Sequence, residues 1–453
     1  MMRITLLFLL IFLGLALNSR SQDSQNVRLM AQWFSDEPET NARDSRYNDC
    51  WGFVINGEEY GVIGSTSGTH IIHLPLNNAI KEVAFIPGDA QGEIVIHRDY
   101  ATHNGYLYAV CDQQPSKLQV IDIRHLPDSA SLVLSTDEFF TTAHNIYTDE
   151  YTGKLYCSGT SSAAMTVLDA SVTPESPTLL NQFNLVEYVH DAYARRDTVF
   201  VHAAFQGMWV FDFANAEEPQ LLGNLEEYPD DGYNHSGWLN DDGTVYVFAD
   251  ETQGKRLKVC DVSDLTDIQV TSFLFSGGAS HTIAHNVIVE GDYAYVSYYF
   301  DGLQIFDISD INEPQRVAWY DTYDIDEQDY RGAWGVHKGL PSGRILISDR
   351  YTGLYVFRHI PEGVPDVNQE IVMFPNPGNG DAIVQIRRSS WLRMQHRAYD
   401  SRGRLVDAGE WRSGADTFWF PVDLSDQSAG VYYIEIIIDE GTPEVLRYML
   451  NRD

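Results

Sequence analysis

The chain has 453 residues, enough for two or three average domains or for one large all-β ring with a small module attached. Hydrophobic residues make up 44% and aromatics 12%, with 26 Tyr and 21 Phe, a balance that favours half-buried pleated strands over helices. Sixty-five acidic against 30 basic side chains leave a formal charge of −35, which repels phosphate backbones and anionic headgroups and argues against nucleic-acid or direct membrane binding. Divalent cations and cationic partners remain compatible with that charge, and so does the simpler role of keeping an exported protein soluble.

In chain order, Met1-Met2-Arg3 is a short basic start, Ile4 to Leu17 is almost wholly apolar, and Asn18-Ser19-Arg20-Ser21-Gln22 supplies small residues for cleavage. This predicts a signal peptide over residues 1–21, because the apolar run is too short to span a bilayer and no Cys follows it for lipidation. No later stretch has the length of a membrane helix, so the mature chain is expected to carry no transmembrane segment.

From residue 22 to 360 the chain repeats. An apolar strand ending in Asp recurs as Leu118–Asp122, Met165–Asp169, Met208–Asp212, Leu257–Asp261 and Leu303–Asp307, with the aspartates 47, 43, 49 and 46 residues apart. Degenerate copies at His70–His73 and Leu354–Arg358 bring the count to seven. A second landmark precedes each copy, centred on Trp51, His97, His144, His190, His235, His285 and Trp334. Turn signals between the landmarks leave room for four short strands per repeat. The predicted fold is therefore all-β, a seven-bladed β-propeller over residues 22–360, in which Val27 to Phe34 supplies the outer strand of the last blade.

Cys50, Cys111, Cys157 and Cys260 form no CxxC pair and sit in apolar strand-like runs, so buried free thiols are expected, although an exported compartment would permit disulfides. Residues 361–369 read as a linker. The remaining 370–453 change composition, with no Lys and frequent Arg, and mark a separate C-terminal segment.

The repeat, with its Val/Ile-x-Asp strands and its Ala-His-Asn and Trp-Gly-Val-His motifs, resembles the LVIVD-repeat propellers of the choice-of-anchor B family from Val27 to Arg358. The tail, with Pro375-Asn376-Pro377, the turn Asp400-x-x-Gly403-Arg404 and the late strand Gly430-Val-Tyr432, resembles the type A C-terminal sorting domain of the type IX secretion system of Bacteroidota. Its last strand ends in Asn-Arg-Asp where a basic finish is commoner. The resemblance implies a small β-sandwich over residues 370–453, type IX machinery as a partner, loss of the tail after transport, and a mature protein outside the cell or on the outer-membrane surface; a monomer is expected. A carbohydrate-binding β-sandwich is the alternative for the tail.

Innermost strands line a propeller's channel, so a residue type recurring at their starts forms a ring. His97, His144, His190, His235 and His285 offer neutral imidazoles suited to a divalent metal ion, with Trp51 and Trp334 completing the mouth and Asp99, Asp191 and Asp231 near enough to complete or orient a site. His281 and His337 lie close by in sequence. The competing reading is structural, since recurring His and Asp also tie blades together through buried hydrogen bonds. The five strand-ending aspartates fit Asx turns. Trp238, Tyr233 and Tyr330 are candidates for stacking on sugars or peptides. Hydrolase elbows, P-loops, dinucleotide fingerprints, HExxH and EF-hand loops do not occur. The function read from these features is a non-enzymatic binding protein for a peptide, glycan or protein ligand. The alternative is a metal-dependent hydrolase using the histidine ring, and a purely structural surface role is compatible with every feature.

Overall fold

Four short strands joined by tight turns can only pair with their neighbours in sequence, and each repeat does so. A computed structural model describes residues 24–75, 78–278, 280–323, 330–361, 371–438 and 443–451. The expected signal peptide and residues 362–369 of the expected linker lie outside the described residues. Blade 1 pairs Tyr47–Ile55, Glu58–Ser65, Gly68–His73 and Lys81–Pro87 in order, and blade 2 pairs Arg98–His103, Tyr106–Cys111, Leu118–Asp122 and Ser131–Thr136. Blades 3 to 6 begin their inner strands at Asn145, Asp191, Asn234 and Val287 and follow the same antiparallel order.

Blade 7 is built from both ends of the ring. Ala333–His337, Arg344–Asp349 and Gly353–His359 are completed by Val27–Trp33, which pairs with Gly353–His359 as the outer strand. The preceding Ser24–Gln25 pairs with the outer strand of blade 6. In all seven blades the third and fourth strands are joined across a register shift, which in blade 7 falls between Leu29 and Ala31 of Val27–Trp33. That extra residue increases the local twist each blade needs at the rim.

Burial falls from the axis outward. Tyr106–Cys111 and Leu118–Asp122 are buried at every position, whereas Ser131–Thr136 is half to fully exposed. Inner strands packed on both faces read as continuous apolar runs, which is why their sequences do not alternate. Each core lies between two blades. Leu107, Ile121 and Tyr60 join blades 1 and 2, and Ile63, Ile72, Leu346 and Leu354 join blades 1 and 7, so the sheets close on themselves as a β-propeller. Arg344, almost fully buried, donates to Glu59 Oε2 at 3.2 Å and to Asn78 Oδ1 at 2.8 Å, bridging the same seam.

The repeated aspartates cap the connections. The backbone N–H two residues on donates to Oδ1 of Asp122, Asp169, Asp212, Asp261 and Asp307 at 2.7 to 3.0 Å. All four cysteines are free and buried, and burial pushes their thiols upward in pKa.

The tail is built on two long strands, Asp381–Asp400 and Leu405–Asp423. The first half of Asp381–Asp400 also pairs with Ile371–Phe374 and its second half with Gly430–Ile438, which pairs in turn with Glu444–Leu450. Ala382, Val384 and Ile386, then Ile434, Ile436 and Ile438, alternate inward into one core. Asn376 latches the opening to the last strand, donating to Arg447 O at 2.7 Å and accepting from Met449 N–H at 2.9 Å. Gly403, at φ +78°, turns the Asp400 loop, whose carboxylate accepts from Arg402 and Arg404 N–H. Tyr432 is buried, and its hydroxyl donates to Ser428 O. Among the described residues no helix is long and apolar enough to cross a membrane.

Candidate functional site

His144 immediately precedes an inner strand, and the other ring histidines hold the matching place in their repeats. The five histidines meet ring to ring. Centroids are 4.2 Å apart for His97–His144, His144–His190 and His190–His235, and 4.4 Å for His235–His285. Trp334 closes the circle at 4.6 Å from His285 and 5.4 Å from His97. Trp51 does not join it. A register shift between Tyr47 and Cys50 carries Trp51 further along its strand, where its indole N–H donates to Thr102 Oγ1 at 3.1 Å and its ring packs on His337 at 4.7 Å. His281 packs on Phe300 instead.

Below the ring lies a second layer. Asp49, Asp99, Asn145, Asp191, Ser236 and Asn286 line a cavity of about 50 Å³, with Trp51, Tyr147, Tyr193 and Trp238 beyond them. Asp99 and Asp191 thus stand one step inside the channel, not at its mouth, and Trp238 is part of the lower aromatic layer, 4.9 Å from Tyr193. A space of this size suits water or a small ion more than an organic substrate. Asp191 is pushed up to about 8 by burial, and Asp99 is raised by burial and by the nearby Asp49.

Much of the ring's polar capacity ties blades together. His190 Nδ1–H donates to His235 O at 3.3 Å, His285 Nδ1–H donates to Trp334 O at 2.7 Å, and Ser236 Oγ–H donates to His285 O at 2.9 Å. Asp99 Oδ2 accepts from Ile146 N–H of the next blade at 2.8 Å. Burial holds His97, His190 and His235 well below the usual imidazole range and His285 at about 3, so these rings are neutral.

The sequence pattern missed the residues that follow the second strand of each blade. Asp112, at the end of that strand in blade 2, reaches across to His144 Nδ1 of blade 3 at 3.2 Å; within a blade, the antiparallel hairpin brings the end of the second strand beside the start of the first, so Glu251 Oε2 stands 3.6 Å from His235 Nε2. By the same register Arg350 lies 4.3 Å over Trp334. Strand register was the available signal. Around this floor stands an aromatic collar: Tyr233 at 5.2 Å from His190, Tyr299 at 5.2 Å from His285, Tyr330 against Tyr299, and Phe205 against Tyr233. Phe205 is 81% and Tyr330 37% exposed.

Fold and site together define a β-propeller. Residues 282–322 match the LVIVD repeat, a stretch that takes in all four strands of blade 6. No curated protein matches the chain. Among solved structures it is similar to that of U3-55K, at 9% identity and a TM-score of 0.53 over 75% of this chain and 100% of that one. It is also similar to the RRP9 WD40 repeats, at 9% identity and 0.52 over 74% and 99%, and to a protein from Lactobacillus plantarum, at 10% identity and 0.50 over 78% and 95%. At these identities the likeness is one of fold.

Proposed function

We propose that this chain is an exported, non-enzymatic binding propeller of the choice-of-anchor B kind, sent out by a type IX route through its tail, and that the His/Trp end of the ring meets a peptide or glycan. The observation that carries the binding half is the collar. Phe205 stands 81% exposed, propped edge-on against Tyr233, above a floor of packed rings. Exposed aromatics held rigid by other aromatics offer flat apolar area at little entropic cost, as stacking on sugar or peptide requires. The small cavity beneath leaves the face, not the channel, as the place for a ligand of that size.

Support for the export half is the resemblance of the tail, whose motif residues Asn376, Gly403 and Tyr432 each hold a turn or strand end of one small domain. The test is a glycan and peptide array probed with the full chain and with Phe205→Ala/Tyr233→Ala. A ligand whose affinity falls about tenfold or more in the variant is expected, in keeping with the loss of a stacked aromatic anchor. Equal binding by both proteins, or turnover of an ester, phosphate or peptide substrate in place of binding, would overturn the reading. In the native host, loss of residues 370–453 is expected to strand the protein in the periplasm; undiminished appearance outside the cell would remove the type IX assignment.

A further inference from the structure

His190 and His235 approach the channel at the starts of blades 4 and 5, and Glu251 follows the second strand of blade 5. One donor atom from each lies within 4.8 Å of the other two, and no other His, Cys, Asp or Glu cluster among the described residues converges in this way. We propose that His190, His235 and Glu251 hold one divalent first-row transition metal ion of the zinc type, through two imidazole nitrogens and a carboxylate oxygen.

Three features of the geometry lead there. The gap between His235 Nε2 and Glu251 Oε2 is 3.6 Å, too long for a hydrogen bond. Two ligands each ~2.1 Å from a shared tetrahedral ion stand ~3.4 Å apart, so the gap is close to a ligand edge. The outer contacts are those of a prepared site. His190 spends its Nδ1–H on the His235 carbonyl, which fixes the tautomer and leaves Nε2 as the lone-pair nitrogen, and the Tyr299 hydroxyl donates to Glu251 Oε1, turning Oε2 toward the imidazoles. The surroundings also suit an ion. Two buried imidazoles and a carboxylate whose side chain is 17% exposed face one small space, and three protein ligands leave a further coordination position open. His97 and His144 lie in the same ring outside the triad.

The site adjoins the collar and shares Tyr299 with it, but a face that binds its ligand without metal leaves the proposed function intact. The test uses the full chain, stripped with a chelator and titrated with CoCl₂ while the visible d–d absorption is followed, with ZnCl₂ as competitor. Co²⁺ held only by surface carboxylates and water stays octahedral and nearly colourless. The expected result is an intense band that saturates at one equivalent and is abolished by zinc. Glu251→Gln, close to isosteric, is expected to weaken it by more than ~100-fold, Tyr299→Phe by ~10-fold, and His97→Phe not at all. A far-UV melting curve for each variant shows that it is folded. A folded wild type with no saturable band, a Glu251→Gln variant that binds as wild type does, or a His97→Phe loss equal to that of Glu251→Gln would each overturn the assignment.

Discussion

At the scale of single residues, the channel holds titratable groups whose pKa values move stability in opposite directions. Desolvation raises Asp49 above the ordinary carboxyl range and takes Asp191 to about 8. The folded chain therefore keeps protons that the unfolded chain has released, and the stability these groups supply, complete below pH ~4, is lost as pH rises toward 8. His202 and His337 act the other way. Burial lowers them to about 4 and about 3, so their contribution is present above the ordinary imidazole value and is lost as pH falls. Asp49→Asn removes one titration while keeping the shape. Its partner Asn286 donates from Nδ2 to Asp49 Oδ2 at 3.2 Å and has a buried Oδ1 without a partner, so a flipped amide can accept from the new Asn. The expected outcome is a difference in unfolding free energy, variant minus wild type, that grows more positive from pH 5 to about pH 7, by up to about 1.4 kcal/mol per pH unit, and levels off above it. A difference that stays flat in thermal melts across that series would contradict the assignment. The aspartates of the Asx turns belong to the same scale and were legible in sequence, because an Asx turn is made within three residues.

At the scale of elements, the N-terminal strand carries the largest consequence. Val27–Trp33 pairs along Gly353–His359, Ser24–Gln25 caps blade 6, and Asn26 Nδ2 donates to Val317 O at 2.8 Å between them. One segment thus staples the last two blades and closes a ring that otherwise ends in an open edge. Removal of residues 24–34 is expected to lower the melting temperature by well over 10 °C, several kcal/mol by the usual conversion for a domain of this size, measured by calorimetry. An unchanged transition would mean that the ring closes by other means. The closing strand was legible because a lone strand before the first repeat and a three-stranded last repeat complement each other. The fate of Trp51 was not legible: the register shift in Tyr47–Ile55 moves it out of the mouth, and such a shift depends on pairing with Glu58–Ser65.

At the scale of the whole molecule, the core of the tail is made wholly of residues between Ile371 and Leu450, and none of the inter-blade cores includes a residue from that range. Each part therefore carries its own hydrophobic stabilisation. A chain ending at residue 361 is expected to keep the thermal transition of the propeller within about 2 °C, the scale of a sub-kcal/mol change for a domain this large. A collapse of that transition in differential scanning calorimetry would show that the ring needs its tail.

The repeat, the strands, the capping aspartates and the unpaired cysteines all follow from local pattern, since apolar runs, turns and Asx caps are set by residues a few positions apart. The mouth is another matter. Five histidines at matching positions announced a ring, yet which of them face a carboxylate depended on where each hairpin's second strand ends, and Glu251, Tyr299 and Arg350 carry no repeating signature of their own. Only the closed ring brings residues from different blades to within a few ångströms, because the register of seven separate hairpins and the packing between neighbouring sheets decide together which side chains share one small space.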